Sequence, residues 1–353
     1  SSPFTDQQMT IDIDSQIAVR RLSLGAAQAI TSGTGVRIAV IDGGVNLTHP
    51  FFAAQPGALI SRYDYIDGDS VTAEEIVGSC SGHGTFVAGI SRLTAPDAEL
   101  FIYRVLDTMG QGDGYTIAEA VLQGISDSCD IINLSLGMVG IHDAMDDALK
   151  LAHQQNILII AAAGNDSTDL ASVFPFPASR DYSMAVAALD SADHKATFSN
   201  YGPRIAVAAP GTWIYAPYLD TIYAWWDGTS FAAPFVSGLA ALVWAVHPDW
   251  TTDQVDSAIR ASAQSVDSIN ILYAGLLGSG IIDPLATLAA PPLLRGDLTG
   301  DSDIDIADLT YLISVLYIDL SIPLPGLELG DLDCDGQIDI ADVSALISYL
   351  YLS

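Results

Sequence analysis

The sequence predicts an α/β protein with a mainly parallel sheet flanked by helices, followed by a small α-helical domain carrying paired acidic loops. Three observations predict it. Apolar strand-like runs at Arg37–Ile41, Glu99–Val105, Ile131–Leu136, Ile157–Ala162, Met184–Ala188 and Ile205–Ala208 alternate with helical stretches that include Tyr115–Ser126 and Ile141–Gln155. Such alternation implies parallel strands joined by right-handed crossovers, with helices on both faces. The pattern breaks at Ala289-Ala-Pro-Pro292, where adjacent prolines stiffen the chain, and an internal repeat follows. Residues 1–289 are therefore expected to form the large domain, 290–294 a linker, and 295–353 a second domain.

The first element is Val36-Arg-Ile-Ala-Val-Ile41, which reads as a buried strand and ends on Asp42. A carboxylate at the carboxyl end of a parallel strand lines the crevice where ligands bind. Next comes Ser81-Gly-His-Gly-Thr85, with Gly82 and Gly84 expected to turn the backbone tightly around His83, before the apolar helical run Phe86–Ile90. Asn133-Leu-Ser-Leu-Gly137 and Ala161-Ala-Ala-Gly-Asn165 end two strand-like runs. Ser230 then precedes the helical run Phe231–Val246, with Pro234 expected in its first turn, where a proline costs no intrahelical hydrogen bond. The positive field of a helix N-terminus favours negative charge developing at Ser230. An alcohol becomes a nucleophile when an imidazole takes its proton, and the imidazole works best when a carboxylate fixes its tautomer. Asp42, His83 and Ser230 are the candidates for those three roles.

These motifs resemble those of the subtilisin-like serine proteases, the subtilases, from about Val19 to about Leu288, in the chain order Asp, His, Ser. The resemblance implies a secreted, extracellular endopeptidase acting on polypeptides through an acyl-enzyme. It implies that Asn165 donates its side-chain amide to the oxyanion. It also implies that Ser135, Leu136 and Gly137 pair with substrate backbone, and that Ala162 and Gly164 help form a roomy apolar pocket favouring aromatic or large aliphatic residues. There are departures. Gly43 follows Asp42 where relatives carry Ser or Thr, whose hydroxyl helps hold the carboxylate; this leaves a weak or inactive body serving as a binding module as the alternative. Phe86 stands where many relatives have His, and Phe231 where many have Met. The stretch between His83 and Ala95-Pro96 is shorter than in many relatives, so the calcium loop that follows this helix in the family is expected to be absent.

With 12 Lys and Arg against 43 Asp and Glu, the formal charge is −31, which argues against nucleic acid or an anionic membrane as partner. Cys80, Cys129 and Cys334 are odd in number and scattered, so free thiols are expected. Ser1–Met9 has neither a basic nor an apolar leader segment, as expected of a mature or trimmed chain. The apolar run Phe231–Val246 is short for a membrane span and is expected to be a core helix.

In the repeat, Asp297–Asp308 aligns with Asp331–Asp342 at a separation of 34 residues, and each loop runs into a helical stretch, Leu309–Tyr317 and Val343–Tyr351. Oxygen ligands at loop positions 1, 3, 5, 9 and 12, with a carbonyl at 7, suit calcium. Loop one offers Asp297, Thr299, Asp301, Asp305 and Asp308 with the carbonyl of Asp303. Loop two offers Asp331, Asp333, Asp335, Asp339 and Asp342 with the carbonyl of Gln337. Neutral Thr299, and Ser302 in place of the usual turn glycine, make loop one the weaker site. The paired loops resemble a dockerin, a calcium-binding module that attaches extracellular enzymes to a cohesin-type scaffold protein. That resemblance assigns partner contacts to Ile306-Ala307 and Ile340-Ala341. Docking of the tail on the protease body is the other reading, because Tyr311, Tyr317, Tyr349 and Tyr351 suit either interface.

Overall fold

The computed structural model describes residues 4–5, 12–55, 57–75, 77–172, 175–289, 296–299, 303–318, 327–332 and 337–352. The expected linker, Asp301, Ser302, Asp333, Cys334 and Asp335 lie outside the described residues. The chain divides into two compact units, Ser1–Thr252 with Ile259–Leu288, and Asp253–Ala258 with Ala289–Ser353.

The first unit is built on a seven-stranded sheet: β1 (Arg37–Asp42), β2 (Leu59–Asp64), β3 (Glu99–Arg104), β4 (Ile131–Leu134), β5 (Leu158–Ala162), β6 (Ser183–Leu189) and β7 (Ile205–Pro210). Their order is β7-β6-β5-β4-β1-β3-β2, and all neighbours run parallel. The winding direction reverses at β1, between β3 and β4. In a doubly wound sheet that reversal opens a crevice beyond the strand ends. Asp42 ends β1 and Ser135 follows β4, so both stand at it.

Four helices matter for the site: α1 (His83–Thr94), α2 (Gly114–Ser126), α3 (Asp143–Gln154) and α4 (Thr229–Val246). Ala39 and Ile41 of β1 join a cluster with Val121 of α2 and Leu149 of α3. Side chains alternate along a strand, so Ile38 and Val40, both fully buried, face the opposite side, where α1 and α4 pack together. Both faces are covered, which is why these strands read as unbroken apolar runs. The long apolar helix α4 lies mostly inside the fold, as a core helix does.

One strand goes unread in the sequence, and one helix start shifts. β2 gave no apolar signal, because Ser61, Arg62 and Asp64 interrupt it at the sheet edge. The helix expected from Ile141 begins at Asp143, since His142 is extended (φ −109°, ψ 110°) and Ile141 is exposed.

In the second unit, α5 (Ile306–Ile313) continues as one π-helical segment, Ser314–Ile318, and α6 spans Ile340–Leu352. Both helices start three residues before the sequence reading placed them, so Ile306 and Ile340 lie in first turns rather than in loops. The cause is local capping. The Asp305 carboxylate accepts from the Ala307 N–H at 2.6 Å, and that of Asp339 from the Ala341 N–H at 2.7 Å. Leu298, Leu309, Leu312, Val343 and Leu346 form a core of their own.

Candidate active site

Asp42 and His83 meet. Gly82, at φ 85°, caps α1, and its Cα lies so near the Tyr218 ring that a Cβ there would sit 1.9 Å from it. Gly84 backs onto the chain after β1, where a Cβ would fall 2.0 Å from the Gly44 carbonyl oxygen. Only glycine permits either approach. His83 Nδ1 stands 2.8 Å from Asp42 Oδ1, which also accepts from the Gly43 N–H at 2.7 Å. An ionised carboxylate only accepts, so Nδ1 carries the proton and Nε2 presents a lone pair. Burial opposes charging of His83, but the charge and hydrogen bond of Asp42, with the charge of Glu74, outweigh it and raise its pKa above the ordinary 6.5. Asp42 is 1% exposed, and its Oδ2 has no hydrogen-bond partner among the described residues. This is the oxygen left over where Gly43 supplies no hydroxyl.

The helix starts at Thr229, two residues before the expected Phe231, so Ser230 stands in the first turn of α4 rather than before it, and Pro234 lies inside the helix rather than in that turn. The missing Pro234 N–H is the donor that the Ser230 carbonyl would otherwise receive. Ser135 Oγ takes its place, donating to that carbonyl at 2.7 Å. Reciprocally, Ser230 Oγ donates to the Ser135 carbonyl at 3.1 Å. The Ser230 hydroxyl is therefore engaged by the segment after β4, and among the described residues it makes no hydrogen bond to the His83 ring. The ring does touch the next residue: its centroid is 5.5 Å from that of Phe231.

Asn165 is exposed, and its Oδ1 accepts from both the N–H and the Oγ1 of Thr229, each at 2.9 Å. Two donors on Oδ1 fix the amide orientation and leave Nδ2 pointing the other way. Thr229 Oγ1 in turn accepts from the Gly164 N–H at 3.1 Å. Thr229 is thus the joint between the loop after β5 and the start of α4. Sequence reasoning passed over it, although it immediately precedes Ser230 in the run Gly228-Thr-Ser230. Two asparagines were missed as well. Buried Asn200 donates to the Ala163 carbonyl at 2.8 Å and accepts from the Asp166 and Thr168 N–H groups, shaping the Asn165 loop. Buried Asn133 donates to Ser135 Oγ at 3.0 Å and accepts from Ser237 Oγ of α4 at 2.8 Å. Leu136 and Gly137 lie beyond the end of β4, and Ala162 is the last residue of β5.

Phe86 and Phe231, two of the departures from the family pattern, are one packing solution. Both are buried, with ring centroids 4.5 Å apart, and Trp226 packs on each. A thioether beside Ser230 would be an oxidation target, and this arrangement lacks one. Activity is expected to survive dilute peroxide, and Phe231→Met to introduce its loss. Rapid inactivation of the unaltered protein, without oxidation of a distant Met, would contradict this. Cys80 and Cys129 are free thiols, and burial pushes both up to about 12, so neither is poised as a thiolate.

In the second unit the Asp308 carboxylate, fully buried, accepts from the N–H groups of Leu298, Thr299 and Asp305 at 2.7, 2.9 and 2.8 Å. Asp342 repeats this with Leu332 and Asp339, at 2.6 and 2.7 Å. Asp297 and Asp331 are buried too, at 1% and 6% exposure, in a segment whose one basic residue is Arg295. Among the described residues no group of three or more His, Cys, Asp or Glu stands arranged around a common metal position. All-oxygen donors and buried carboxylates nevertheless fit a hard cation.

Comparison with known proteins completes the description of the site. A profile of the Subtilase family matches residues 33–280. Thermitase of Thermoactinomyces vulgaris is 31% identical over 269 residues, covering 73% of this chain and 92% of its own. Subtilisin BL of Lederbergia lenta is 34% identical over 257 residues, covering 70% and 90%. Among solved structures, a cold-adapted subtilisin-like serine proteinase aligns with a TM-score of 0.60 at 31% identity, covering 67% of this chain and 84% of that one. A protease from Pseudoalteromonas arctica aligns with a TM-score of 0.68 at 26% identity, covering 82% and 99%.

Proposed function

The chain belongs to the subtilase family of serine endopeptidases, and we propose that Ser230, His83 and Asp42 perform its chemistry on extracellular polypeptides. The observation that carries this reading is the 2.8 Å bond from His83 to buried Asp42, with Phe231, the neighbour of Ser230, against the same ring. A substrate strand adding along Ser135, Leu136 and Gly137 takes the Ser135 carbonyl as an acceptor. That removes the contact now holding Ser230 Oγ, which turns to donate to His83 Nε2; such bonds commonly tighten only once substrate is bound. Ser230 Oγ then attacks the scissile carbonyl as its proton passes to Nε2. The imidazolium, held by Asp42, returns the proton to the leaving amine. An acyl-enzyme remains, and water activated by the same imidazole releases it. Asn165 Nδ2 and the Ser230 N–H receive the oxyanion, while Ala162 and Gly164 leave room for the apolar side chain before the cleaved bond.

Asn165→Ala tests the oxyanion assignment: kcat on a chromogenic peptide with an aromatic or large aliphatic residue at that position should fall about 10²–10³-fold at nearly constant KM. Unchanged kcat, or fastest cleavage after charged residues, would contradict the reading.

The second unit is proposed as a dockerin-like calcium module of a secreted enzyme. Calcium, when bound, closes each loop around oxygen ligands. Asp297, Thr299, Asp301, Asp303, Asp305 and Asp308 would hold one ion, and Asp331, Asp333, Asp335, Gln337, Asp339 and Asp342 the other. Ile306 and Ile340, 56% and 58% exposed, occupy matching places at the starts of α5 and α6 and suit an apolar cohesin-type surface. Calcium at a hundred times its Kd should stabilise this unit by about 2.7 kcal/mol per site, read as a chelator-reversible rise in its unfolding midpoint. No heat of calcium binding to the full chain in titration calorimetry would remove the module.

A further inference from the structure

Among the described residues, Glu74 is an acidic side chain beside the Asp42–His83 pair that the catalytic cycle leaves without a task. The backbone delivers it there: Val45 and Ala73 form a parallel bridge, with the Val45 N–H on the Thr72 carbonyl at 2.9 Å. Its neighbour Glu75 anchors the same loop on Arg104, a 2%-exposed guanidinium that also donates to Asp64 and Asp67 at 2.8 Å each. Glu74 then turns inward to the start of α1. Oε1 accepts from the Gly84 N–H at 3.2 Å, and Oε2 accepts from the Thr85 N–H at 3.1 Å and from Thr85 Oγ1. These are N–H groups with no intrahelical partner, immediately after His83. On its other side the carboxyl group stands against Gly43: a Cβ on Gly43 would lie 3.8 Å from Glu74 Oε1.

We propose that Glu74 is a positioning residue of the active site, occupying the space beside Gly43 that a larger residue would enter and fastening the first turn of α1, and with it the His83 ring, to Asp42. The idea rests on the reading of His83 as the general base. Glu74 holds the helix start from outside the chain segment that carries either partner, so it constrains where the ring sits without touching substrate. The groups facing it are Asp42 from the end of β1, His83 from α1, Cys80 from the turn before α1, and Tyr218. Among the described residues no Lys or Arg is paired with it; Arg104 donates to Asp64, Asp67 and Glu75 instead. Burial pushes the Glu74 carboxyl up to about 8, with Asp42 adding to the rise, and its charge in turn raises His83. Glu74 is thus mostly neutral at pH 7 and becomes an anion beside the imidazole as pH rises through 8.

Three proteins decide it: the unaltered chain, Glu74→Gln and Glu74→Ala, assayed for kcat, KM and the pH profile of kcat/KM on one chromogenic peptide. Glu74→Ala should lower kcat about 10–100-fold with KM within about twofold, the cost of a misplaced base. Glu74→Gln keeps the size and one acceptor oxygen, so kcat at pH 7 should stay within about threefold, while the upper part of the ascending limb of kcat/KM, toward pH 8 where Glu74 ionises in the parent, moves to lower pH, because His83 loses the charge that raises it there. Should Glu74→Ala fail to fold, the displaced limb in Glu74→Gln decides alone. A limb unmoved in Glu74→Gln, or a folded Glu74→Ala with unaltered kcat, overturns the proposal. An inactive parent protein would instead overturn the assignment of His83 itself.

Discussion

Ser230→Ala will lower kcat by about a millionfold, the scale expected when the nucleophile of such a triad is lost, while the far-ultraviolet spectrum stays unchanged and the unfolding midpoint falls by no more than about 4 °C. The structure gives the reason that folding survives. What Ser230 contributes to packing is its backbone carbonyl, held by Ser135 Oγ, and that bond does not need the side chain. The hydroxyl makes one contact, to the Ser135 carbonyl at 3.1 Å, and losing a single partly buried hydrogen bond costs about 1 kcal/mol. A variant that keeps even one-tenth of the rate would take Ser230 out of the chemistry.

Asp42→Asn is the second large effect. The asparagine amide presents a donor to Nδ1, which then must accept, so the proton moves to Nε2 and the ring offers no base. The expected fall in kcat is about 10⁴-fold, with KM near that of the parent, because the shape of the site is retained. Here the effect has an added source: among the described residues Asp42 Oδ2 lacks a hydrogen-bond partner, and the carboxylate is held by the Gly43 N–H and His83. Steady-state kinetics over a pH series check it. A drop smaller than tenfold would mean that His83 takes its orientation from elsewhere.

Much of the fold was legible because both sheet faces are covered: residues such as Ile38–Ile41 must all be apolar, and an unbroken run is easy to read. β2 was not, since Leu59–Asp64 lies at the sheet edge and pairs with β3 alone. The site was legible to the extent that glycine and short motifs mark close approaches, as at Gly82 and Gly84. Pro234 misled because its place in the helix depends on where α4 starts, at Thr229, and not on the spacing from Ser230. Glu74 was invisible for a different reason. Its loop has no periodicity, and its task arises only when Val45, Gly43 and the first turn of α1 meet in three dimensions. In the second unit the repeat was plain, whereas the helix starts were not, because Asp305 and Asp339 read equally well as calcium ligands and as caps.

The central claim is that Ser230 is activated by His83. Its most direct test is covalent labelling with a fluorophosphonate at pH 8, followed by peptide mapping. The account predicts one adduct, on Ser230, formed quickly in the parent protein, lost in Ser230→Ala and slowed in Asp42→Asn. Failure of the folded parent protein to label, or labelling at another residue, would contradict it.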